Sequence, residues 1–128
     1  MLDHIGISVV DLERTKVFYT KALAPLSIEL LMELTAEQTG ANAHAGFGRD
    51  GKPFFWIGNA PRPSAPVHIA FAALRRVDVE AFYRAALDAG GTDNGAPGLR
   101  PQYHPNYFGA FVLDPDGNNV EAVCHEPK

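Results

Sequence analysis

The sequence predicts an α+β fold in which two tandem βαβββ modules form a curved mixed β-sheet cup with flanking helices. Three observations carry that expectation. The stretch "VFYTKAL" at 17–23 returns as "AFYRAAL" at 81–87. The offset of 64 that links Phe18 to Phe82 also links His4 to His68, Tyr19 to Tyr83 and Leu23 to Leu87, with no gap. The last two strand-like runs are separated by "DPDGN" at 114–118, the residues of a tight turn. Because the offset is half of the 128-residue chain, the repeat divides it evenly. Each half would bury little surface alone, so the two are expected to share one core.

The first half opens on "HIGISVV", where Ile5, Ile7 and Val9 alternate with His4, Gly6 and Ser8 at the period of a strand. Asp11 is placed to cap a helix that carries Leu12, Phe18, Tyr19, Ala22 and Leu23 along one stripe. Three short β-like runs follow, "LSIELLMEL", "AHAGFG" and "PFFWIG", and complete a module over residues 1–59. The Pro-rich "APRPSAP" at 60–66 reads as a connector. Module two, 67–128, repeats the plan: Ile69, Phe71 and Ala73 alternate with His68, Ala70 and Ala72. Asp78 is expected to cap its helix, Val79, Phe82, Tyr83, Ala86 and Leu87 form the apolar stripe, and Gly90-Gly91 end it. Its remaining strands are expected around "LRPQY", at "YFGAFVL" and at "NNVEAVC".

Composition narrows the function. With 46% apolar and 20% charged residues the chain is that of a soluble globular protein. A net charge of −4, with Arg75-Arg76 the only adjacent basic pair, argues against a nucleic-acid or anionic-membrane partner. The N-terminus carries Asp3 where a secretory signal needs basic residues, and no apolar run approaches membrane-spanning length, so a cytoplasmic protein is expected. A single cysteine, Cys124, excludes an internal disulfide and a thiolate metal cluster.

The strand faces point to a site. Apart from histidine, the face of each opening strand turned away from its helix is small: His4, Gly6 and Ser8 in one, His68, Ala70 and Ala72 in the other. Small side chains leave a concavity, and one histidine from each of two repeat-related strands suits a metal site. In "NNVEAVC" alternation groups Asn119, Glu121 and Val123 on one face. A carboxylate in so apolar a strand needs a partner, because burying it alone costs several kcal/mol or forces protonation. A divalent cation would be such a partner. His44 and His125 have no comparable support and are assigned to a helix surface or the tail.

With the two-fold repeat, "HIGISVVDLERTKVFYTKAL", "VHIAF" and "DPDGNNVEAV" resemble the vicinal oxygen chelate superfamily over essentially the whole chain. That superfamily includes glyoxalase I, bleomycin-resistance and fosfomycin-resistance proteins and extradiol dioxygenases. The resemblance implies metal ligands on the first, fifth and eighth strands, which by motif match are His4, His68 and Glu121. It also implies that the eighth strand lies beside the fifth, so that His68 and Glu121 are neighbours and His4 reaches across from the other module. Glyoxalase I has a further glutamate on its fourth strand. The 64-residue offset places Ile57 there, with Phe55 and Trp56 nearest, and none of the three binds a metal. The expectation is a two-histidine, one-carboxylate site for Fe, Mn, Zn or Ni, with open positions for substrate.

On the substrate side, 94–108, "NGAPGLRPQYHPNYF", is dense in polar and aromatic residues. Trp56 and Tyr107 are expected to form an aromatic wall, Arg100 to hold an anionic group, and His104 or Tyr103 to move a proton. The expected function is a metal-dependent lyase, isomerase or dioxygenase acting on a small oxygen-bearing molecule. The alternative is a binding protein of the bleomycin-resistance type that sequesters a small ligand without metal or chemistry. The resemblance also implies a homodimer, in which the modules pair within one chain or exchange between two.

Overall fold

The computed structural model describes residues 1–60 and 65–128, so most of the connector expected at 60–66 lies outside the described residues. The chain runs β1 (Ile5–Val9), α1 (Leu12–Leu23), a 3₁₀ turn (Ala24–Leu26), β2 (Glu29–Leu34), α2 (Ala36–Thr39), β3 (His44–Arg49) and β4 (Lys52–Asn59). It continues with β5 (His68–Ala72), α3 (Arg76–Asp88), β6 (Thr92–Leu99), β7 (Phe108–Leu113) and β8 (Asn119–Cys124). Apart from the short α2, each half is the expected βαβββ.

The strands form two four-stranded mixed sheets, ordered β1-β4-β3-β2 and β5-β8-β7-β6. In each, the opening strand lies parallel to the last strand of its module and the other pairings are antiparallel. The two modules therefore share one topology. β1 and β5 are edge strands of their own sheets, and the two sheets stay separate and open.

Local chemistry accounts for most boundaries. Asp11 caps α1 as its position predicts, accepting a hydrogen bond from Arg14 N at 3.1 Å. α3 starts three residues earlier than expected, with Arg75 rather than Asp78 at the N-cap. Asp78 sits in the first turn, where the helix dipole favours an acid, and accepts hydrogen bonds from the Arg75 guanidinium at 2.7 and 3.1 Å. Gly90, at φ 102°, ends α3 while Gly91 N donates to Ala86 O at 2.9 Å. α2 is closed by a capping box between Thr35 and Gln38.

β6 also departs from expectation: it spans Thr92–Leu99, and "LRPQY" belongs mostly to the loop that follows. Gly95, Pro97 and Gly98 obscure its alternation, and an edge strand tolerates them because one side of its backbone needs no partner. Its register against β7 shifts twice.

The core is one cluster spanning both modules. Phe18 and Tyr19 from α1, Val79 and Phe82 from α3, Phe47 and Phe55 from the first sheet and Val112 and Val120 from the second are fully buried. The Phe55 and Phe71 rings meet edge to face across the modules at 5.4 Å. Tyr19 OH donates to Asp114 Oδ2 at 2.5 Å, and Asp114 also accepts from Asn118 N, Asn118 Nδ2 and Asp116 N at 2.9 Å each. The "DPDGN" turn thus pins module two to the first helix. Burial and the adjacent Asp114 carboxylate push the Tyr19 phenol well above its ordinary range. No helix among the described residues is long and apolar enough to cross a membrane.

Candidate functional site

The strongest constellation lies on the second sheet. β5 and β8 run side by side with His68 opposite Asn119 and Ala70 opposite Glu121. Glu121 is 1% exposed, whereas the side chain of His68 is about half exposed. His68 Nε2 lies 2.8 Å from Glu121 Oε1, and Tyr107 donates its hydroxyl hydrogen bond to Glu121 Oε2. Both carboxylate oxygens are thereby engaged within the chain. The partner that this buried acid requires is supplied in part by a phenol the sequence placed in an aromatic wall. Burial, then the Glu121 hydrogen bond and charge, push the Tyr107 phenol up to about 12, so it remains a donor at neutral pH.

Backbone space makes this arrangement possible. A Cβ at Gly109 would stand 3.2 Å from the Tyr107 ring and 3.3 Å from Glu121 Oε2, tighter than ordinary packing. Phe111, opposite Glu121 on β7, brings its ring within 6.2 Å of the His68 ring. Arg100 lays its guanidinium over Phe111 at 5.4 Å and donates to Ala96 O at 2.7 Å.

The loop after β6 carries the rest of the expected set. Arg100 N donates to Tyr107 O at 2.7 Å and closes the loop. Tyr103 stacks obliquely on Tyr107 at 5.1 Å. His104 Nδ1 accepts from Asn106 N at 3.0 Å, which leaves Nε2 as the nitrogen available to other partners. His125, assigned to the tail by sequence, packs edge to face on Tyr107 at 5.2 Å and on His104 at 5.6 Å. Arg100, Tyr103, His104 and Tyr107 therefore cluster in module two with His68 and Glu121.

His4 and Trp56 belong to module one. His4 is exposed and its Nδ1 lies 2.7 Å from Asp3 Oδ2, which Lys52 Nζ also approaches at 3.0 Å. These partners hold the Asp3 carboxyl below its ordinary range. The strand register identifies the counterpart of Glu121: Gly6 faces Trp56 on β4 as Ala70 faces Glu121 on β8. Trp56, not Ile57, stands where the second acid would be, and Ile57 is buried in the core. Trp56 covers Gly46 and lines a cleft with His4 and with His44, which opens β3 rather than lying on a helix surface or in the tail.

The donor chemistry of His68 and Glu121 suits a divalent cation. Two ligands bound to one ion at about 2.1 Å and a right angle stand about 3 Å apart, close to the spacing of this pair. Within a single chain they supply two ligands: among the described residues no three His, Cys, Asp or Glu side chains are grouped to hold a metal ion. His4 is thus not gathered with the pair in one chain.

Comparison with known proteins agrees with the architecture. The family model of the Glyoxalase/Bleomycin resistance protein/Dioxygenase superfamily matches residues 1–122. A glyoxalase/bleomycin resistance protein from Albidiferax ferrireducens T118 superposes with a TM-score of 0.77 at 27% identity, over 94% of this chain and 95% of that one. A glyoxalase I variant from Zea mays gives 0.71 at 25% identity, covering 95% of this chain but only 46% of the maize protein. FosX, a fosfomycin resistance protein from Listeria monocytogenes solved with Mn(II) and 1S,2S-dihydroxypropylphosphonic acid, shares the fold with a TM-score of 0.69 at 18% identity, over 96% of this chain and 90% of that one. No curated protein matches the chain.

Proposed function

The chain belongs to the Glyoxalase/Bleomycin resistance protein/Dioxygenase superfamily, and on that premise we propose that it is a metal-dependent enzyme acting on a small oxygen-bearing molecule in the cytoplasm. The observation that carries this reading is the 2.8 Å approach of His68 Nε2 to the buried Glu121 Oε1. His68 and Glu121 hold one of Fe, Mn, Zn or Ni, and His4 of the partner subunit supplies the third ligand in a homodimer. The open faces of the sheets support that assembly, since Gly6, Ala70 and Ala72 remain exposed there and His4 is not grouped with the other two donors. When bound, the ion supplies Lewis-acid stabilisation of negative charge developing on substrate oxygen, in lyase, isomerase or dioxygenase chemistry.

The chain's own groups do the rest. Tyr107 fixes the orientation of Glu121 through its second oxygen. Arg100, on the same module, holds an anionic substrate group, a reading supported by its contact with Phe111, which limits its motion. His104, with Nδ1 committed to Asn106, moves a proton through Nε2, with Tyr103 beside it. Trp56 and Tyr107 offer aromatic surface from the two modules.

A second reading has an observation of its own. His68 and Tyr107 already satisfy both oxygens of Glu121, as a metal-free binding protein of the bleomycin-resistance type would require. Elemental analysis of protein isolated without chelators separates the two. The enzyme reading expects near-stoichiometric metal that falls away in His68→Ala and in Glu121→Gln; trace metal that is unchanged by either substitution selects the binding protein. Mixing His4→Ala with Glu121→Ala, each metal-free alone, should restore about a quarter of the sites, because half of the resulting dimers are mixed and each holds one intact site. No recovery from subunits shown to exchange contradicts the shared site.

A further inference from the structure

We propose that His125 is a positioning residue: from the end of the strand that carries Glu121, its ring holds the Tyr107 phenol in line with that carboxylate. The role depends on the reading of Glu121 as a metal ligand, and it falls to a residue that lies beyond the "DPDGNNVEAV" motif. Period-two alternation from Glu121 reaches Val123 and then His125, one residue past the end of β8. Val120, Ala122 and Cys124 belong to the core cluster whereas Val123 stays outside it, so Glu121, Val123 and His125 share the opposite face. β7 supplies the facing positions, with Gly109 opposite Val123 and Phe111 opposite Glu121. Carried one pair beyond Phe108 and Cys124, the same register sets Tyr107 opposite His125. Their rings meet edge to face at 5.2 Å and 89°.

Tyr107 needs such a support because of where it stands. It is the last residue of the loop before β7, and its hydroxyl reaches Glu121 Oε2 across the backbone of Gly109. A hydrogen bond weakens steeply once its donor swings out of line, so a phenol carried on a loop must be kept from turning. Tyr103 flanks the ring at 5.1 Å, but it is exposed and belongs to the same loop, so it moves with Tyr107 rather than tying it to the sheet. His125 continues the strand that holds Glu121 and therefore fixes the phenol relative to its acceptor. It also touches the His104 ring at 5.6 Å. Because Tyr107 N donates to His104 O at 3.0 Å, one imidazole bears on both ends of that turn. An edge-to-face pair requires a ring and no charge, so a phenylalanine at 125 should serve as well.

The experiment compares His125→Ala and His125→Phe in the whole chain, with and without metal. In metal-free protein labelled at the tyrosine Cζ carbons, the NMR signal of Tyr107 is identified by its loss in Tyr107→Phe. His125→Ala is expected to move that signal toward the position of the exposed Tyr103, and His125→Phe to leave it near its original place. Calorimetry with Mn(II) should give an affinity about 2–10-fold weaker in His125→Ala, the range for one aromatic pair, and restored in His125→Phe. On a Tyr107→Phe background His125→Ala should change nothing further, since no hydroxyl is left to aim. An unmoved Tyr107 signal in His125→Ala, no restoration by His125→Phe, an Mn(II) affinity unchanged by His125→Ala, or a further loss of affinity on the Tyr107→Phe background would each overturn the proposal. If the unaltered protein takes up no Mn(II), the metal reading falls, while the Tyr107 signal still decides the role of His125.

Discussion

Modules one and two are the same scaffold carrying different chemistry. Both order their strands identically, and Phe18 and Phe82, repeat-related, are both fully buried. The polar and functional positions have diverged. Tyr19 is buried and donates to Asp114 in the other module, whereas its counterpart Tyr83 donates to Asp93 in its own. Where module two places Glu121, module one places Trp56. His68 meets a buried carboxylate, while His4 meets an exposed one. Repetition is preserved at core positions such as Phe18 and Phe82 and at the strand histidines His4 and His68, and is broken beside them, where Trp56 stands in one module and Glu121 in the other, which teaches that a shared fold does not fix the chemistry of the site.

The largest expected effect tests the shared scaffold. Phe18→Ala and Phe82→Ala should each cost about 3–5 kcal/mol in urea unfolding, by loss of transfer energy and creation of a cavity. Since a domain of this size has about 5–15 kcal/mol in hand, either variant should be close to unfolding. A cost well below that in only one of them would show that the helices are not equivalent in the core. Next comes the asymmetric site: Tyr107→Phe should weaken metal binding by about 10–100-fold while leaving the fold intact, the range for an outer hydrogen bond to a ligand. Calorimetry with Mn(II) gives the number, and an unchanged affinity would mean that Tyr107 does not orient Glu121.

The tyrosine pair sharpens the contrast between the modules at smaller scale. Tyr19→Phe should cost about 1–3 kcal/mol, because it strips one donor from the buried Asp114. Tyr83→Phe, at a more exposed hydrogen bond, should stay within about 0.5 kcal/mol. Equal losses would dissolve the distinction. The smallest effect is read from pH. Tyr107 is raised to about 12 by burial and Glu121, against about 10 in an unfolded chain. A folded value above the unfolded one favours the protonated phenol, so its contribution is full below about pH 10 and is lost as pH rises through 12. Ultraviolet titration of the native protein against Tyr107→Phe should show one ionisation missing near the top of that window. A missing ionisation near pH 10 would contradict the buried hydrogen bond.

Much of this was legible in the sequence because it is local or repeated. Alternation marked β1, β5 and β8, Asp11 announced the start of α1, and "DPDGN" announced the β7–β8 turn. The neighbour relation of His68 and Glu121 followed from the family's sheet order and is present in the strand pairing. β6 was misplaced because Gly95, Pro97 and Gly98 blur the alternation of an edge strand. Asp78 was misread because an acid is favourable both at a cap and one turn inside it. The bond from Tyr107 to Glu121 crosses from the loop before β7 to β8, and only the strand register brings the two together.

The most direct measurement is anomalous diffraction at the manganese edge from crystals grown with Mn(II). One strong peak per chain is expected within bonding distance of His68 Nε2 and Glu121 Oε1, with His4 of the partner subunit as the third ligand. A map with no peak between His68 and Glu121, or with that pair still in direct contact while manganese sits elsewhere, would contradict it.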